Sequence, residues 1–152
     1  MRIRHPLPTE WNKIQLLNDE VFADNITYDP DLKRDWAISE VGKQYFQELV
    51  TDDEQVCFVA EDDNMLVGYI AAAPKELSYR KSKYLEIDNM GVNPEYRGKG
   101  VGTLLIEEVK KWAKENGYNK LFVNSYFKNT SAIAFYKKNG FEEIDVSLEM
   151  KI

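Results

Sequence analysis

Val92-Asn93-Pro94-Glu95-Tyr96-Arg97-Gly98-Lys99-Gly100-Val101-Gly102 decides how this chain is read. Three glycines fall within five positions, interleaved with Arg97 and Lys99. A strand-like run ends at Val92 and a helix-like run begins near Val101. Glycine admits positive φ and lets a ligand approach the backbone closely. A helix start adds unpaired N–H donors and a partial positive charge. Together they point to a ligand bearing phosphate. Two familiar loops fail here. A Walker A loop needs Gly, four residues, then Gly-Lys-Ser/Thr; Gly98-Lys99 is followed by Gly100, and position 93 is Asn. A dinucleotide fingerprint needs G-x-G-x-x-G, and its last position falls on Thr103 in one register and Leu105 in the other.

Before the glycines, Tyr84 to Val92 reads as a strand, with Gly91 marking a bulge or a close backbone approach. Upstream of it, Gln55 to Ala60 and Met65 to Ala73 read as an antiparallel hairpin across the polar connection Glu61-Asp62-Asp63-Asn64. Pro74 is expected to stop the second of these strands, and residues 75–83 form a charged loop. Nearer the start, residues 1–4 suit a first strand. Thr9 suits an N-cap for a helix carrying Trp11, Ile14, Leu17 and Val21. Residues 23–37 show no period and read as a loop or broken helix. Ser39 caps a second helix carrying Val41, Tyr45, Phe46, Leu49 and Val50. After the glycines, Val101, Leu104, Leu105, Val109, Trp112 and Ala113 make one apolar helix face, closed by Gly117. Lys120 to Phe127 reads as a strand, Asn129 or Thr130 caps a last helix ending at Gly140, and residues 141–152 read as a final strand. The order β-α-α-β-β-β-α-β-α-β implies a mixed, mostly antiparallel sheet flanked by helices, an α/β or α+β fold in one domain over 1–152.

The pattern that residues 97–102 do satisfy is Arg-x-x-Gly-x-Gly, through Arg97, Gly100 and Gly102. A second block, Asn129-Thr130-Ser131-Ala132-Ile133-Ala134-Phe135-Tyr136 followed by Gly140-Phe141, comes at a matching separation. The two blocks resemble the GNAT superfamily of acyl-CoA-dependent N-acetyltransferases, strongly over residues 85–141 and only in topology before that. The resemblance implies acetyl-CoA as co-substrate, with its pyrophosphate on the backbone N–H groups of Gly98, Lys99, Gly100, Val101, Gly102 and Thr103 and with Arg97 beside them. It implies that the strand bearing Met90, Gly91 and Val92 splays from its neighbour and pairs with the pantetheine arm. Asn129 and Ala132 would contact that arm.

The reaction so implied is direct attack of a neutral amine on the thioester carbonyl. It needs a base for the ammonium, a donor for the carbonyl oxygen and an acid for the leaving thiolate. Tyr136 matches the family tyrosine assigned to the thiolate; a phenol of pKa near 10 suits a thiolate of about 8.5 or more. The oxygen donor is the N–H of Met90 or a neighbour. The base is open between Asp88, which lies nearer the expected bulge, Glu86 on the same strand face, and a water chain ending on either. In ribosomal-protein-type members a Glu often sits five residues before the motif Asn; here that position is Asn124, which argues against a protein N-terminal amine as acceptor.

Composition sets the remaining bounds. The 152 residues are 43% apolar and 30% charged, with net charge −6, which fits a globular chain and argues against nucleic acid as partner. No stretch suits a signal peptide or membrane span. One cysteine, Cys57 within an apolar run, reads as a buried structural thiol in a reducing, cytoplasmic setting. One histidine, His5, reads as a surface residue and leaves no metal motif. The expected partners are coenzyme A and an amine, a small molecule before a protein amine, with a homodimer left open. The alternative is an acyl-CoA-binding sensor without turnover.

Overall fold

The computed structural model describes residues 1–152 as one five-stranded sheet between two helical layers. In chain order the elements are β1 (Arg2–Arg4), α1 (Trp11–Phe22), α2 (Glu40–Leu49), β2 (Val56–Asp62), β3 (Met65–Lys75), β4 (Tyr84–Val92), α3 (Val101–Glu115), β5 (Lys120–Val123) and α4 (Thr130–Lys138). The sheet order is β1-β2-β3-β4-β5; every pair is antiparallel except β4–β5, which is parallel because α3 carries the chain across. Ile14, Leu17 and Phe46 of α1 and α2 pack on Cys57, Val59, Tyr69 and Ala71 of one sheet face. Val101, Leu105, Ile106 and Val109 of α3 pack on Phe58, Ile70, Leu85 and Ile87 of the other. No helix is long and apolar enough to cross a membrane.

The helix patterns hold, with local differences that have causes. Ser39 caps α2 by accepting from the Gly42 N–H at 3.2 Å, although Val41 points to solvent. Thr9 caps nothing. Pro8 starts a 3-10 turn that runs into α1, and Glu10 closes that turn by accepting from the Leu7 N–H at 2.9 Å. Arg4 then joins the N-terminal strand to this turn, donating to Glu10 at 2.8 Å and also pairing with Glu61. Cys57 is buried, and burial pushes its thiol up to about 12. His5 is exposed, its ring tilted over Phe58.

The strands depart further from expectation. The β2–β3 connection is two residues, not four: Asp63 (φ 47°) and Asn64 (φ 63°) both take the left-handed conformation that a tight hairpin requires. Pro74 does not stop β3, which continues to Lys75. The β2 ladder ends at Ala72, so the proline nitrogen sits where no donor is called for. The bulge in β4 is not at Gly91. The β3 partners pass from Ile87 directly to Asn89, leaving Asp88 as the extra residue. Gly91 serves packing instead, since a Cβ there would lie 2.8 Å from the Tyr69 ring. β5 ends at Val123 rather than Phe127, because β4 has by then parted from it. Residues 141–152 form no strand in the chain; they join no sheet, and the Phe141 N–H, donating to the Tyr136 carbonyl at 3.1 Å, and Glu143, paired with Lys137 at 2.8 Å, tie the segment to α4.

Candidate active site

The β4–β5 ladder runs from Tyr84↔Lys120 to Ile87↔Val123 and stops. Beyond it β4 continues through Asp88 to Val92 with β3 on one side and no strand on the other. This is the expected splay, and it leaves one edge of the Met90–Val92 backbone open. The Asp88 bulge also resets the alternation of side chains. Ile87 packs in the α3 core, yet so do Met90 and Val92, while Asn89 and Gly91 face α1. An unbroken strand would have put Asn89 on the α3 side and Met90 opposite.

At the end of that strand lies the glycine loop. Gly98 (φ 74°) and Gly100 (φ 87°) occupy the left-handed region, with open space where their side chains would be. The N–H groups of Gly98, Gly100, Val101, Gly102 and Thr103 donate to no acceptor within the chain. Five oriented donors and the α3 dipole make an anion cradle. Arg97 is exposed beside it, its Nε donating to the Val92 carbonyl at 3.2 Å, and Lys99 lies over the Tyr96 ring. Gly102 has a different task. A Cβ there would stand 2.8 Å from Phe135 Cζ, so its glycine lets α4 close on the start of α3.

α4 forms the far wall. Asn129 Oδ1 caps the helix, accepting from the Ala132 N–H at 3.1 Å and the Ser131 hydroxyl at 3.0 Å. Its Nδ2 donates to no acceptor within the chain. Tyr136 is largely buried against Phe135 and Phe141, and burial raises its phenol to about 12. The cradle, the open strand edge and the Asn129 amide together fit the pyrophosphate and the amide-bearing arm of coenzyme A.

The two carboxylate candidates separate. Glu86 is held by Lys75 at 2.7 Å and receives a hydrogen bond from Asn124 at 3.4 Å. Asp88 makes no ion pair. Its side chain is exposed at the cleft; partial desolvation, then the neighbouring Glu86 charge, push its pKa up, with Lys75 opposing. Asp88 also lines a cleft of about 460 Å³ on the α1 side of the sheet. Asn18, Asp19 and Phe22 of α1, Asp31, Lys33, Arg34 and Trp36 of the 23–37 loop, and Tyr126 are among its walls, so acidic and basic side chains face the same space.

Sequence reasoning did not single out the polar network behind this cleft. Asn18 Nδ2 donates to Tyr69 OH at 2.6 Å and to Asn89 Oδ1 at 3.1 Å, and Tyr69 OH donates to Asn89 Oδ1 at 2.6 Å. Asn18 stands four residues after Ile14, inside the apolar stripe of α1, and that misplaced amide was the available signal. Tyr126 was missed too. It stacks with Tyr28 and lies beside Asp29; burial and that charge raise its phenol.

A model of the acetyltransferase (GNAT) family matches residues 15–141. An uncharacterized N-acetyltransferase of Methanocaldococcus jannaschii is 36% identical over 115 residues, which cover 75% of this chain and 49% of that protein. Streptothricin acetyltransferase A of Bacillus subtilis is 32% identical over 117 residues, 70% of this chain and 65% of its own. The chain thus spans about half to two thirds of the length of such relatives. Among solved structures, a mutant BH1408 protein from Bacillus halodurans aligns with a TM-score of 0.87 at 21% identity, covering 100% of this chain and 99% of its own. Aminoglycoside acetyltransferase AAC(6')-Iy, in complex with the bisubstrate analog CoA-S-monomethyl-acetylneamine, aligns at 0.75 and 19% identity, covering 99% and 97%. These two share the fold.

Proposed function

We propose, from the premise that this chain belongs to the acetyltransferase (GNAT) family, that residues 1–152 act as one N-acetyltransferase domain. The acceptor is a primary amine, a small molecule before a protein amine. The observation that carries the reading is the set of five unpartnered N–H donors at the end of an unpaired strand edge. Acetyl-CoA supplies an activated acyl group. The rest is the chain's work. The cradle from Gly98 to Thr103 holds the pyrophosphate, with Arg97 and Lys99 adding charge at its rim. The free edge at Met90, Gly91 and Val92, with Asn129 and Ala132 opposite, aligns the arm.

The amine must lose a proton before it attacks. Asp88 takes it, directly or through water; its raised pKa makes it a better base than an ordinary carboxylate. Glu86, tied to Lys75, tunes Asp88 rather than replacing it. The C–N bond forms, the N–H of Met90 or a neighbour stabilises charge on the carbonyl oxygen, and the C–S bond breaks with Tyr136 donating a hydrogen bond to the departing sulfur, which ends as the thiol by taking up, through water or the Tyr136 hydroxyl, the second proton that the nitrogen loses. The cleft volume favours a compact acceptor, and Asp19, Asp31 and Asp88 offer carboxylate partners to an ammonium group, with Lys33 and Arg34 on the same walls limiting where that cation can sit. The buried thiol of Cys57 accords with a cytoplasmic setting.

Thiol release from acetyl-CoA, measured with small amines, polyamines and aminoglycosides against lysine and N-terminal peptides, tests this. Turnover on the small amines is expected. Faster turnover on peptides would overturn the acceptor class; tight coenzyme A binding without turnover on any amine would turn the protein into a sensor.

A further inference from the structure

Asn18 stands on the buried face of α1 beside Ile14, Leu17 and Val21, where an apolar residue would serve packing better. It is only 4% exposed. A side-chain amide carries a donor nitrogen and an acceptor oxygen, and the chain uses only the nitrogen. Nδ2 donates to Tyr69 OH at 2.6 Å and to Asn89 Oδ1 at 3.1 Å. Oδ1 accepts from no group of the chain.

The network behind Asn18 fixes which way the amide faces. Tyr69 has one hydroxyl proton and donates it to Asn89 Oδ1 at 2.6 Å. Toward Asn18 it can then only accept, which keeps Nδ2 on the network and turns Oδ1 away from it. The side it turns to is the cleft, which Asn18 lines together with Asp88, Asn89 and Tyr126. Every fully buried side-chain nitrogen or oxygen of the chain has a partner. Oδ1 has none, so it is the atom by which Asn18 reaches the cleft surface. Asn89, which receives the Asn18 amide, follows Asp88 in the chain, so the free oxygen and the proposed base belong to one stretch of wall. Neither proton transfer nor thioester attack uses that oxygen.

We propose that Asn18 Oδ1 is a specificity-determining acceptor, receiving a hydrogen bond from a second donor, a hydroxyl or amino group, that the substrate carries a few bonds from its reacting nitrogen. The amines so selected are amino alcohols and diamines rather than plain alkylamines. This rests on acetyl transfer in the cleft and adds which amines enter it. Tyr69 and Asn89 hold the amide from behind, so the oxygen is in place before the substrate arrives and little ordering is left to pay at binding. A plain alkylamine would strip water from Oδ1 and return no donor, and a site built to bond a substrate N–H or O–H discriminates strongly against an analogue lacking it.

The test is thiol release from acetyl-CoA by the full chain, with rates taken per neutral amine. Aminopropanol is compared with its isomer methoxyethylamine, which has the same atoms but no second donor, and diaminopropane with butylamine. In each pair the amine with the second donor should lead in kcat/KM by at least ~10-fold, and the larger lead tells a hydroxyl partner from an amino one. Asp19 and Asp31 could also receive such a donor, so variants assign it. Asn18→Leu should bring both ratios near one, whatever it does to the absolute rates. Asn18→Asp, which keeps an oxygen toward the cleft, should preserve them. Circular dichroism reports that both variants fold, and the wild-type ratios decide the matter even if neither does. Equal rates on the two isomers, a preference for methoxyethylamine, or ratios that survive Asn18→Leu would each overturn the role of Asn18 and leave acetyl transfer standing. No turnover on any amine, with coenzyme A still bound, would overturn acetyl transfer and this role with it.

Discussion

Replacing Tyr136 by Phe removes one oxygen from a ring packed between Phe135 and Phe141, so the shape of the α4 wall is kept. The phenol stands at about 12, raised by burial. A thiol ionises near 8.5. Burial therefore disfavours the phenolate, and it disfavours a bare thiolate in the same site as well, so charge on the sulfur needs a hydrogen-bond donor there. Tyr136 is thus better suited to donate a hydrogen bond to charge developing on sulfur than to release its proton outright. A hydrogen bond to a charged group contributes about 1.5–3 kcal/mol, so Tyr136→Phe should lower kcat by roughly 10- to 150-fold. Acetyl-CoA affinity should barely change, because the bond exists only as the C–S bond breaks. Steady-state thiol release gives kcat, and titration calorimetry gives the affinity. A variant turning over at the wild-type rate, or one losing affinity with kcat intact, would refute this role.

Asp88→Asn should depress the rate at neutral pH by 10- to 1000-fold and recover in part at high pH, where the amine is already neutral. In the wild type the acid limb of the pH–rate profile should lie above the ordinary aspartate range, because Asp88 must be deprotonated to act and its pKa is raised; an unaltered profile in the variant would place the base elsewhere. The two loop glycines should fail differently. Gly100→Asp, in open space, should abolish coenzyme A binding with the fold kept apart from about 1 kcal/mol of left-handed strain, whereas Gly102→Ala should lower the melting temperature by crowding Phe135, at about 1–3 kcal/mol. Glu10 is held down to about 2, by Arg4 first and then the Leu7 N–H against burial. Its folded pKa lies below its unfolded one, so its stabilisation is whole above about pH 5 and fades as pH falls toward 2. Glu10→Gln should melt earlier at pH 7 and flatten the acid limb of a denaturation series.

What the sequence made legible was what local chemistry dictates. The glycine loop, the α3 and α4 stripes, the Ser39 and Asn129 caps and the parallel β4–β5 crossover all follow from periods and capping residues within a dozen positions. The bulge could not be placed that way. It lies at Asp88 because of how β3 meets β4, and no residue in 84–92 announces it, whereas Gly91 looked like a bulge and turned out to make room for Tyr69. Pro74 misled for a related reason: its cost depends on whether a neighbouring strand needs its N–H, which is a fact about β2. The final strand is the same kind of case. The alternation in 141–152 led to an expected strand that the chain does not form, because a pattern names a face and not its partner.

The extra residue at Asp88 has a further consequence for how the two halves of the site depend on each other. By resetting the alternation it sends Met90 toward the glycine loop, where its Cε would lie 3.2 Å from a Gly102 Cβ, and sends Asn89 toward Asn18 and Tyr69 behind the acceptor cleft. Asp88 itself stands between them, at the cleft wall, on the first residue of β4 without a β5 partner. One backbone irregularity therefore sets the open strand edge, the placement of the carboxylate and the orientation of the amide network. Asn18, Tyr69 and Asn89 form a closed set of hydrogen bonds from α1, β3 and β4, and through Asn89 that set pins the strand one residue past the bulge. Loosening it should displace Asp88 relative to the loop without touching either ligand. Burial of its polar groups makes each member costly to leave unpaired, which accounts for an amide standing in the apolar stripe of α1.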